Sequence, residues 1–508
     1  MTAGSNPQTL LSVMLTHGSE QPDAPFLFAP ETNAVLTYQG LVDETRELSA
    51  RYAALGLTSG DHVGFLLHNG YQTTAIFLGT MAAGLVIVPL NLLSVGQQLA
   101  YVLQHSKVKL VFTSQHYESQ LRGAIGLLPP DAATSIRVEV IDSDAQHIHA
   151  AFGRVELSAR VDADSSAMLM YTSGTTGQPK GALLTHGNLL HAAASVAHWH
   201  AFTARDRVLS SLPLYHINGQ CIATVTPFLS GGSIVAPHKF SASAWWTWVD
   251  RYQPTWLNLV PTIIAYLLNA ADPNTKQWPS IRFARSASAP LPPDQHRAFE
   301  QLFGIEVIEA MGMTECASVV FCNPQAAHKR KYGTPGVPCG VEARVVSTEN
   351  SAVLADGHTG ELQLRGANVM SGYFNAADKT AEAITEDGWL RTGDLGHRDA
   401  DGFYFVTGRI KELIIKGGEN IAPREIDEAL LAHPAVLEAA AVGIPDPNYG
   451  QDILAAVVLK PGAQCDEGAL REHCIAMLGR FKTPKTFRLV DDLPKGPSGK
   501  VQRLKLLE

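Results

Sequence analysis

The sequence is poor in the features that mark secreted, membrane-spanning or nucleic-acid-binding proteins. Only six of its 508 residues are cysteines, and none belongs to a Cys-x-x-Cys pair, which argues against a disulfide framework or a zinc site. The 39 lysines and arginines are outnumbered by 48 acidic residues, and the resulting net charge of −9 disfavours a nucleic-acid partner. No basic and apolar leader opens the chain, so we expect a cytoplasmic protein.

Long uninterrupted apolar runs are also absent. The most apolar stretch, residues 73–93, is broken by Gly84 and Pro89, whereas a bilayer-spanning helix needs about 20 consecutive apolar residues. We therefore predict a helix over residues 73–83 that leads into a buried strand over residues 85–88, and we expect no membrane partner.

Two common nucleotide-binding motifs are missing from the glycine-rich loop of residues 171–182. The order Gly177-Gln-Pro-Lys-Gly181 lacks the Gly-Lys-Ser/Thr ending of a P-loop, and no Gly-x-Gly-x-x-Gly stands there. The loop nevertheless combines hydroxyl donors, glycines that allow close backbone approach, and one ammonium group, which together suit a polyphosphate. It follows a strand-like run and precedes a helix-like start at Gly187. The candidate phosphate contacts are Ser173, Gly174, Thr175, Thr176, Gly177 and Lys180.

Alternating helix and strand patterns in the first half of the chain predict an α/β architecture. Residues 36–113 and residues 208–270 both show this alternation, which typically forms parallel sheets covered by helices. We expect two α/β subdomains side by side, with ligands bound in the crevice at the carboxyl ends of the strands. The intervening residues 116–163 are less regular and are interpreted as a connector.

The pattern changes twice in the second half of the chain. Residues 333–406 contain short strands and glycine-rich turns, which predict a small β subdomain that closes over the crevice. After Gly408 the chain continues for about 100 residues in a compact α+β pattern, the size of an independent domain. We therefore predict an N-terminal domain over residues 1–407 and a smaller C-terminal domain over residues 408–508, with the linker near Lys411.

Three further places carry side chains that suit a nucleotide. Thr314 can donate to a phosphate and Glu315 can hold Mg²⁺, which prefers oxygen ligands, although a Thr-Glu pair alone is more typical of a helix cap. Asp394, in Thr-Gly-Asp-Leu-Gly, offers a carboxylate that only accepts hydrogen bonds, but alone it also fits a turn. Lys500 lies among glycines and prolines near the C-terminus, where most lysines serve solubility.

Together these motifs resemble the adenylate-forming superfamily, which includes acyl-CoA synthetases, peptide-synthetase adenylation domains and luciferases. The resemblance runs from the glycine-rich loop to Lys500. It implies that the chain binds ATP with Mg²⁺ on Glu315, that Asp394 accepts hydrogen bonds from the ribose hydroxyls, and that Arg409 contacts ribose or phosphate. Met311 stands where the family usually has an aromatic residue against adenine, and its thioether can cover the same ring face. The other implied nucleotide contacts are Thr172, Ala289, Gly312 and Thr314.

The resemblance also implies a two-step reaction with a domain rotation between the steps. A carboxylate attacks the α-phosphorus of ATP, and Lys500 stabilises the charge that develops there. The C-terminal domain then rotates about Lys411, and a thiol attacks the acyl-adenylate. Lys416, Gly417 and Gly418 resemble the acyl-CoA synthetase form of the segment that meets pantetheine, and the chain ends eight residues after Lys500. Coenzyme A is therefore the expected acceptor.

Two polar stretches are expected to line the pocket for the acid. One contributes His216, also a candidate catalytic residue, and Asn218; the other contributes Arg285, Ser286 and Ser288. Family members for fatty or aryl acids usually have small or apolar residues in the second stretch. The Arg-Ser-x-Ser order resembles the oxalate-activating branch, so we predict a small polar or dicarboxylic-type acid such as oxalate, malonate or sulfoacetate. The alternative, that Arg285 faces away into a structural ion pair and His216 is only a gate, stays open.

Other functions also stay open from the sequence alone. The chain could be an acyl-CoA synthetase for medium-chain fatty or aryl acids, or a stand-alone adenylating enzyme that loads a separate carrier protein. A luciferase-like oxygenase has no positive sign, and a non-catalytic nucleotide sensor is disfavoured because Lys500 and Glu315 are both present. The sequence does not decide whether the chain is a monomer or a homodimer.

Overall fold

Helices and strands alternate in the first part of the chain, as the sequence pattern predicts. The computed structural model describes residues 9–94, 96–157, 161–172, 179–271, 277–495 and 501–507. The first helices are α1 (Leu10–Glu20), α2 (Tyr38–Ala54), α3 (Tyr71–Ala82), α4 (Gly96–His105), α5 (Gln115–Ile125) and α6 (Pro130–Ser135). The first strands are β1 (Pro25–Ala29), β2 (Ala34–Thr37), β3 (His62–Leu66), β4 (Val86–Pro89), β5 (Leu110–Thr113) and β6 (Arg137–Val140).

The expectation of an irregular connector over residues 116–163 was wrong for much of its length, because α5, α6 and β6 lie there. These elements give a weak hydrophobic pattern. Helix α5 buries only Leu121 and Ala124, and α6 buries no residue.

The middle of the chain continues the alternation and adds a π-helix over Asn218–Val225 and 3₁₀ turns over Thr314–Cys316 and Ala327–Lys329. Its helices are α7 (His186–His200), α8 (Thr226–Ser230), α9 (Ala242–Tyr252), α10 (Pro261–Asn269) and α11 (Pro293–Phe303). Its strands are β7 (Ser166–Thr172), β8 (Lys180–Thr185), β9 (Arg207–Leu209), β10 (Ser233–Val235), β11 (Trp256–Leu259), β12 (Phe283–Ser286), β13 (Val307–Met313), β14 (Ser318–Cys322), β15 (Val337–Pro338) and β16 (Glu342–Val346).

The last part of the chain is richer in strands. Its helices are α12 (Ala377–Ala383), α13 (Pro423–Leu431) and α14 (Glu467–Lys482), with 3₁₀ turns over Ile410–Glu412 and Arg503–Leu507. Its strands are β17 (Gly360–Arg365), β18 (Gly372–Tyr373), β19 (Leu390–Arg398), β20 (Tyr404–Arg409), β21 (Ile414–Lys416), β22 (Glu419–Ile421), β23 (Val436–Asp446), β24 (Gly450–Leu459) and β25 (Thr486–Leu489).

Within the described ranges the strands form four sheets. One has the order β15-β14-β13-β12-β11-β9-β10-β1-β2, and a second has the order β18-β8-β7-β4-β3-β5-β6. A third, small sheet is β16-β17-β19-β20, and the last is β22-β21-β24-β23 with β25 beside β24. The predicted fold class is therefore confirmed: two α/β subdomains, a small β subdomain and a C-terminal α+β unit.

The apolar stretch of residues 73–93 is accounted for by deep burial. Every residue of α3 is buried, and so is every residue of β4, which follows it. No helix within the described ranges combines the length and the apolar character that a bilayer crossing requires.

The chain passes from one sheet to the next around Lys411. Strand β20 of the third sheet ends at Arg409, and β21 of the last sheet begins at Ile414. The intervening 3₁₀ turn contains Lys411, which is exposed. The C-terminal sheet has a hydrophobic core of its own, which includes Ile426, Ile453 and Phe487. The division at residues 407 and 408 stays a prediction.

Candidate active site

The two ends of the glycine-rich loop are held by neighbouring strands. Thr172 ends β7 and Lys180 begins β8, and the two residues pair across the strands. The Thr172 hydroxyl donates to the carbonyl oxygen of Lys180 at 3.4 Å. The sequence pattern missed β8, because its first three residues were interpreted as part of the loop of residues 171–182 and its last residue directly precedes α7. The predicted contacts Ser173, Gly174, Thr175, Thr176 and Gly177 lie outside the described residues.

Tyr373 joins the lysine of this loop to the predicted magnesium ligand. The Tyr373 hydroxyl donates to Glu315 Oε1 at 2.9 Å, and Lys180 Nζ lies over the Tyr373 ring, 4.5 Å from its centroid. Burial, together with the Glu315 carboxylate, raises the pKa of Tyr373 above its usual range, so the phenol remains a donor. Strand β18, which carries Tyr373, pairs with β8. The sequence offered no signal for this residue, because its partners lie 58 and 193 positions away along the chain.

The turn after β13 positions Thr314 and Glu315. The Met370 amide donates to the Glu315 carbonyl oxygen at 2.7 Å, which fixes the backbone of this turn. Gly312 lies at a bulge between β13 and β14, and a Cβ there would lie 1.9 Å from the Ser318 carbonyl oxygen. Met311 is half-buried against the main core.

Ala289 is also half-buried and lies in the turn between β12 and α11. Its place at the carboxyl end of β12 is on the side of the sheet where we expect ligands.

Asp394 and Arg409, predicted separately as ribose contacts, form an ion pair with each other. They pair across β19 and β20, and Arg409 Nε lies 2.8 Å from Asp394 Oδ1. Asp394 is buried, whereas the Arg409 side chain is 40% exposed. The negative charge of Asp394 raises the pKa of Arg409, and Glu315 adds to this effect. Arg409 therefore lies near both predicted nucleotide-binding carboxylates.

The two stretches predicted to line the acid pocket meet at Asn218. Its Nδ2 donates to Ser288 Oγ at 3.2 Å, and its Oδ1 accepts a hydrogen bond from Asn258 Nδ2 at 3.1 Å. Ser288 has a left-handed backbone with φ of 75°, a conformation that serine seldom adopts and that often marks functional turns. Sequence reasoning missed Asn258, although a lone amide inside the apolar strand Trp-Leu-Asn-Leu could have indicated it.

His216 lies just before the π-helix that carries Asn218. Its Nδ1 accepts a hydrogen bond from the Asn218 amide at 3.3 Å, and its carbonyl oxygen accepts one from the Gln220 amide at 3.1 Å. These bonds hold the imidazole beside Asn218 and therefore beside the second stretch.

Arg285 is buried, and no carboxylate in the described part of the chain pairs with it. It occupies the middle of β12, in register with Asn258 on β11, and is 1% exposed. None of its three side-chain nitrogens has an oxygen or nitrogen acceptor among the described residues, the Cys322 thiol being its one weak hydrogen-bonding neighbour there, and the buried hydroxyl of Ser286 has no partner. Burial lowers the pKa of Arg285, and the neighbouring thiols of Cys322, Cys339 and Cys221 only partly oppose this shift. The alternative of a structural ion pair for Arg285 is therefore wrong within the described ranges.

The residues predicted to serve coenzyme A lie on the hairpin between β21 and β22. Gly417 and Gly418 have φ values of 57° and 86°, which a tight turn between antiparallel strands requires. Lys416 is buried, its Nζ is 2.7 Å from Asp452 Oδ1, and it faces the rings of Tyr449 and Phe481. Its charge is thus already paired inside the C-terminal unit. Lys500 lies outside the described residues.

Comparison with known proteins supplies the family. The family model described as AMP-binding enzyme matches residues 15–374, and the model of the AMP-binding enzyme C-terminal domain matches residues 425–500. A sulfoacetate–CoA ligase from Cupriavidus necator is 51% identical, over 100% of this chain and 99% of the relative. An oxalate–CoA ligase from Arabidopsis thaliana is 34% identical over 92% of each chain.

Among solved structures, the o-succinylbenzoate coenzyme A synthetase of Bacillus subtilis in complex with ATP and magnesium ion superposes with a TM-score of 0.86. It shares 28% identity, over 99% of this chain and 100% of that one. The nucleotide-site pairs described above lie within the two matched segments or between them. The chain therefore belongs to the family of AMP-binding enzymes, and it is an ATP-dependent acid–CoA ligase.

Proposed function

We propose that the acid is sulfoacetate, or a comparably short acid whose far end carries a second anionic group. The observation that carries the proposal is Arg285, a buried guanidinium with no oxygen or nitrogen acceptor among the described residues. Its strand neighbour Asn258 is bonded to Asn218, which is bonded in turn to Ser288. The cation therefore adjoins the polar cluster predicted to line the acid pocket. The similarity to a sulfoacetate–CoA ligase supports the same assignment.

The energetics favour an anion as the missing partner. An isolated buried charge is strongly unfavourable, and it becomes tolerable when an opposite charge with matching hydrogen bonds is buried beside it. A guanidinium presents five N–H donors in one plane. A sulfonate group stays ionised at neutral pH. Its three oxygens can accept hydrogen bonds from several of these donors at once. An apolar acyl chain would leave the Arg285 guanidinium buried without an anionic partner. It would therefore gain no binding energy from that charge.

The nucleotide half of the reaction is assigned to the residues around Tyr373. We expect Lys180 and the glycine-rich loop to bind the phosphates of ATP, and Asp394 with Arg409 to bind the ribose. Glu315 presents a carboxylate that one phenol hydrogen bond orients, which fits a magnesium ligand. Bound there, Mg²⁺ would neutralise phosphate charge. Thr314 would donate to a phosphate, and Met311 and Gly312 would lie against the adenine.

The second half of the reaction requires the C-terminal unit to move. We propose that residues 408–508 rotate about Lys411, which lies in the exposed turn between two sheets. Lys500 would stabilise the transition state of adenylate formation and then withdraw. Gly417 and Gly418 would next approach the pantetheine arm, with Lys416 holding their hairpin through Asp452. The six cysteines are all free thiols, which supports a reducing, cytoplasmic location.

A substrate panel with matched shapes tests the proposal. Sulfoacetate is compared with methylsulfonylacetate, which keeps the sulfur and two of its oxygens without the charge, and with 3,3-dimethylbutyrate, which keeps only the shape. Coenzyme A thioester formation should be fastest with sulfoacetate, and oxalate and malonate should show whether a carboxylate can replace the sulfonate. A chain that prefers 3,3-dimethylbutyrate would refute the assignment.

The variant Arg285→Met separates charge reading from structure. Removing one member of a buried ion pair costs about 3–5 kcal/mol, so kcat/KM for sulfoacetate should fall by at least about 100-fold. For methylsulfonylacetate the loss should be less than about 5-fold. Arg282→Met is the control, because Arg282 precedes the same strand but already pairs with Asp206. Equal losses for both acids would assign Arg285 a structural role instead.

A further inference from the structure

We propose that the chain binds a divalent transition-metal ion at a site made of residues other than those assigned to the catalytic site. Its ligands are Glu44 and Glu47 on α2 and His147 in the segment that follows β6. One ligand atom from each residue lies within 4.8 Å of the other two. His147 Nδ1 is 3.7 Å from Glu44 Oε1 and 3.6 Å from Glu47 Oε2. We call this group the α2 cluster.

One oxygen of the α2 cluster lacks the partner that its burial demands. The side chains of Glu44 and Glu47 are only 1% and 3% exposed. Glu47 Oε2, the atom that faces His147, has no hydrogen-bonding partner among the described residues. Leaving a buried carboxylate oxygen unsatisfied is costly, and a bound cation would remove that cost.

The remaining polar atoms of the cluster are already held in place. Glu44 accepts hydrogen bonds from the His147 amide at 2.8 Å and from Gln72 Nε2 at 3.0 Å. Glu47 Oε1 accepts two from Arg154, at 3.0 and 2.9 Å. Partners of this kind orient the ligands of protein metal sites. They leave Glu47 Oε2 and the imidazole of His147 facing a common point.

Charge also favours a cation here. Arg154 forms ion pairs with both Glu47 and Asp43, and Arg46 forms a second ion pair with Asp43. The two arginines contact two carboxylates, and adding Glu44 makes three carboxylates against two arginines, so this group keeps one excess negative charge when His147 is neutral. A neutral imidazole is the form that binds a metal.

The ligand set selects the kind of ion. One imidazole nitrogen with two carboxylate oxygens suits Zn²⁺ or Mn²⁺, whereas Mg²⁺ avoids imidazole. Tetrahedral zinc with bonds of about 2.05 Å places its ligands about 3.4 Å apart. The His147 distances exceed this by a few tenths of an ångström, and its side chain is 48% exposed, so a small movement closes the site.

Metal binding would tie the segment after β6 to α2. The same segment contains Asp144, which accepts a hydrogen bond from the Tyr71 amide at the start of α3 and lies 2.6 Å from His238 Nε2. The ion would therefore hold together elements from both large sheets. The predicted consequence is higher thermal stability of the metal-loaded chain, independent of which acid is activated.

Cobalt titration of the full-length chain tests the site. Once a chelator has removed any bound metal, one equivalent of Co²⁺ per chain should bind and show visible d–d absorption. Zn²⁺ should displace the cobalt and raise the melting temperature. His147→Ala and Glu47→Gln should each weaken this binding by at least tenfold. His358→Ala is the matched control, because His358 is an exposed histidine elsewhere on the surface, and it should bind as the unaltered chain does.

Two results would overturn the proposal. One is the absence of the cobalt equivalent in a chain whose circular dichroism shows that it is folded. The other is an equivalent that persists unchanged in both His147→Ala and Glu47→Gln, since binding at Glu315 would then explain it.

Discussion

The role of Tyr373 can be tested directly by a single conservative substitution. The substitution Tyr373→Phe removes the hydroxyl that donates to Glu315 but keeps the ring beneath Lys180. A hydrogen bond to a charged group contributes about 1.5–3 kcal/mol, and because Glu315 is only half-buried, water would recover part of it. A net loss of about 1–2 kcal/mol corresponds to a fall of about 5- to 30-fold in the rate of adenylate formation.

The assay is acid-dependent exchange of labelled pyrophosphate into ATP, measured over a range of magnesium concentrations. If Tyr373 orients Glu315 toward Mg²⁺, the variant should need more magnesium for half-maximal exchange. Tyr332→Phe is the matched control, because the Tyr332 hydroxyl also donates to a glutamate, Glu300, at 2.6 Å, but outside the site. A Tyr373→Phe enzyme within twofold of the unaltered chain, with unchanged magnesium dependence, would refute the reasoning.

Three further perturbations have defined outcomes. Gly312→Ala should lower pyrophosphate exchange by at least about tenfold, since a Cβ 1.9 Å from a carbonyl oxygen must displace the β13–β14 bulge; full activity would contradict the close packing. Lys500→Ala should suppress adenylate formation while sparing thioester formation from supplied acyl-adenylate, and equal loss in both steps would contradict its assigned role. Burial alone would lower the pKa of His238, but the hydrogen bond and charge of Asp144 raise it above its usual value. Its stabilisation is therefore present below about pH 6.5 and is lost as pH rises through the folded pKa, so His238→Gln should lower the melting temperature near pH 6 and matter little near pH 8.5.

The order of elements was predictable from the sequence because hydrophobic periodicity reports burial directly. Helix α3 and strand β4 lie within two residues of the bounds predicted for them, 73–83 and 85–88. Prediction failed where burial is weak, as in α5 and α6, or where a strand begins inside a glycine-rich loop, as in β8. The π-helix over Asn218–Val225 lies inside the alternating residues 208–270, where the hydrophobic pattern does not distinguish it from an α-helix because every residue of it is buried.

Residue types in the site were predictable, but their pairings were not. Asp394 and Arg409 are 15 positions apart, and only the register of β19 against β20 brings them together. Tyr373 has an ordinary sequence context, and its function follows from the strand pairing that carries it past Lys180 and Glu315. The sequence predicted Arg285 as a cation for the acid pocket, but its lack of a carboxylate partner in the described part of the chain depends on the packing that places the thiols of Cys221, Cys322 and Cys339 near it.

The proposed nucleotide half and the proposed acid half of the site differ in whether their charged groups are already paired with each other. The proposed nucleotide half consists of groups that already pair with each other, such as Asp394 with Arg409 and Glu315 with Tyr373. In the proposed acid half, Arg285 has no carboxylate partner among the described residues, and the proposed substrate anion would supply one. A buried charge without a partner lowers the free energy of unfolding of the enzyme. Binding of an anionic acid would supply the missing interaction and with it additional binding energy. An acid without the second charge would bind less tightly, because the guanidinium would stay buried without an anionic partner. This difference in binding free energy would give the enzyme its specificity.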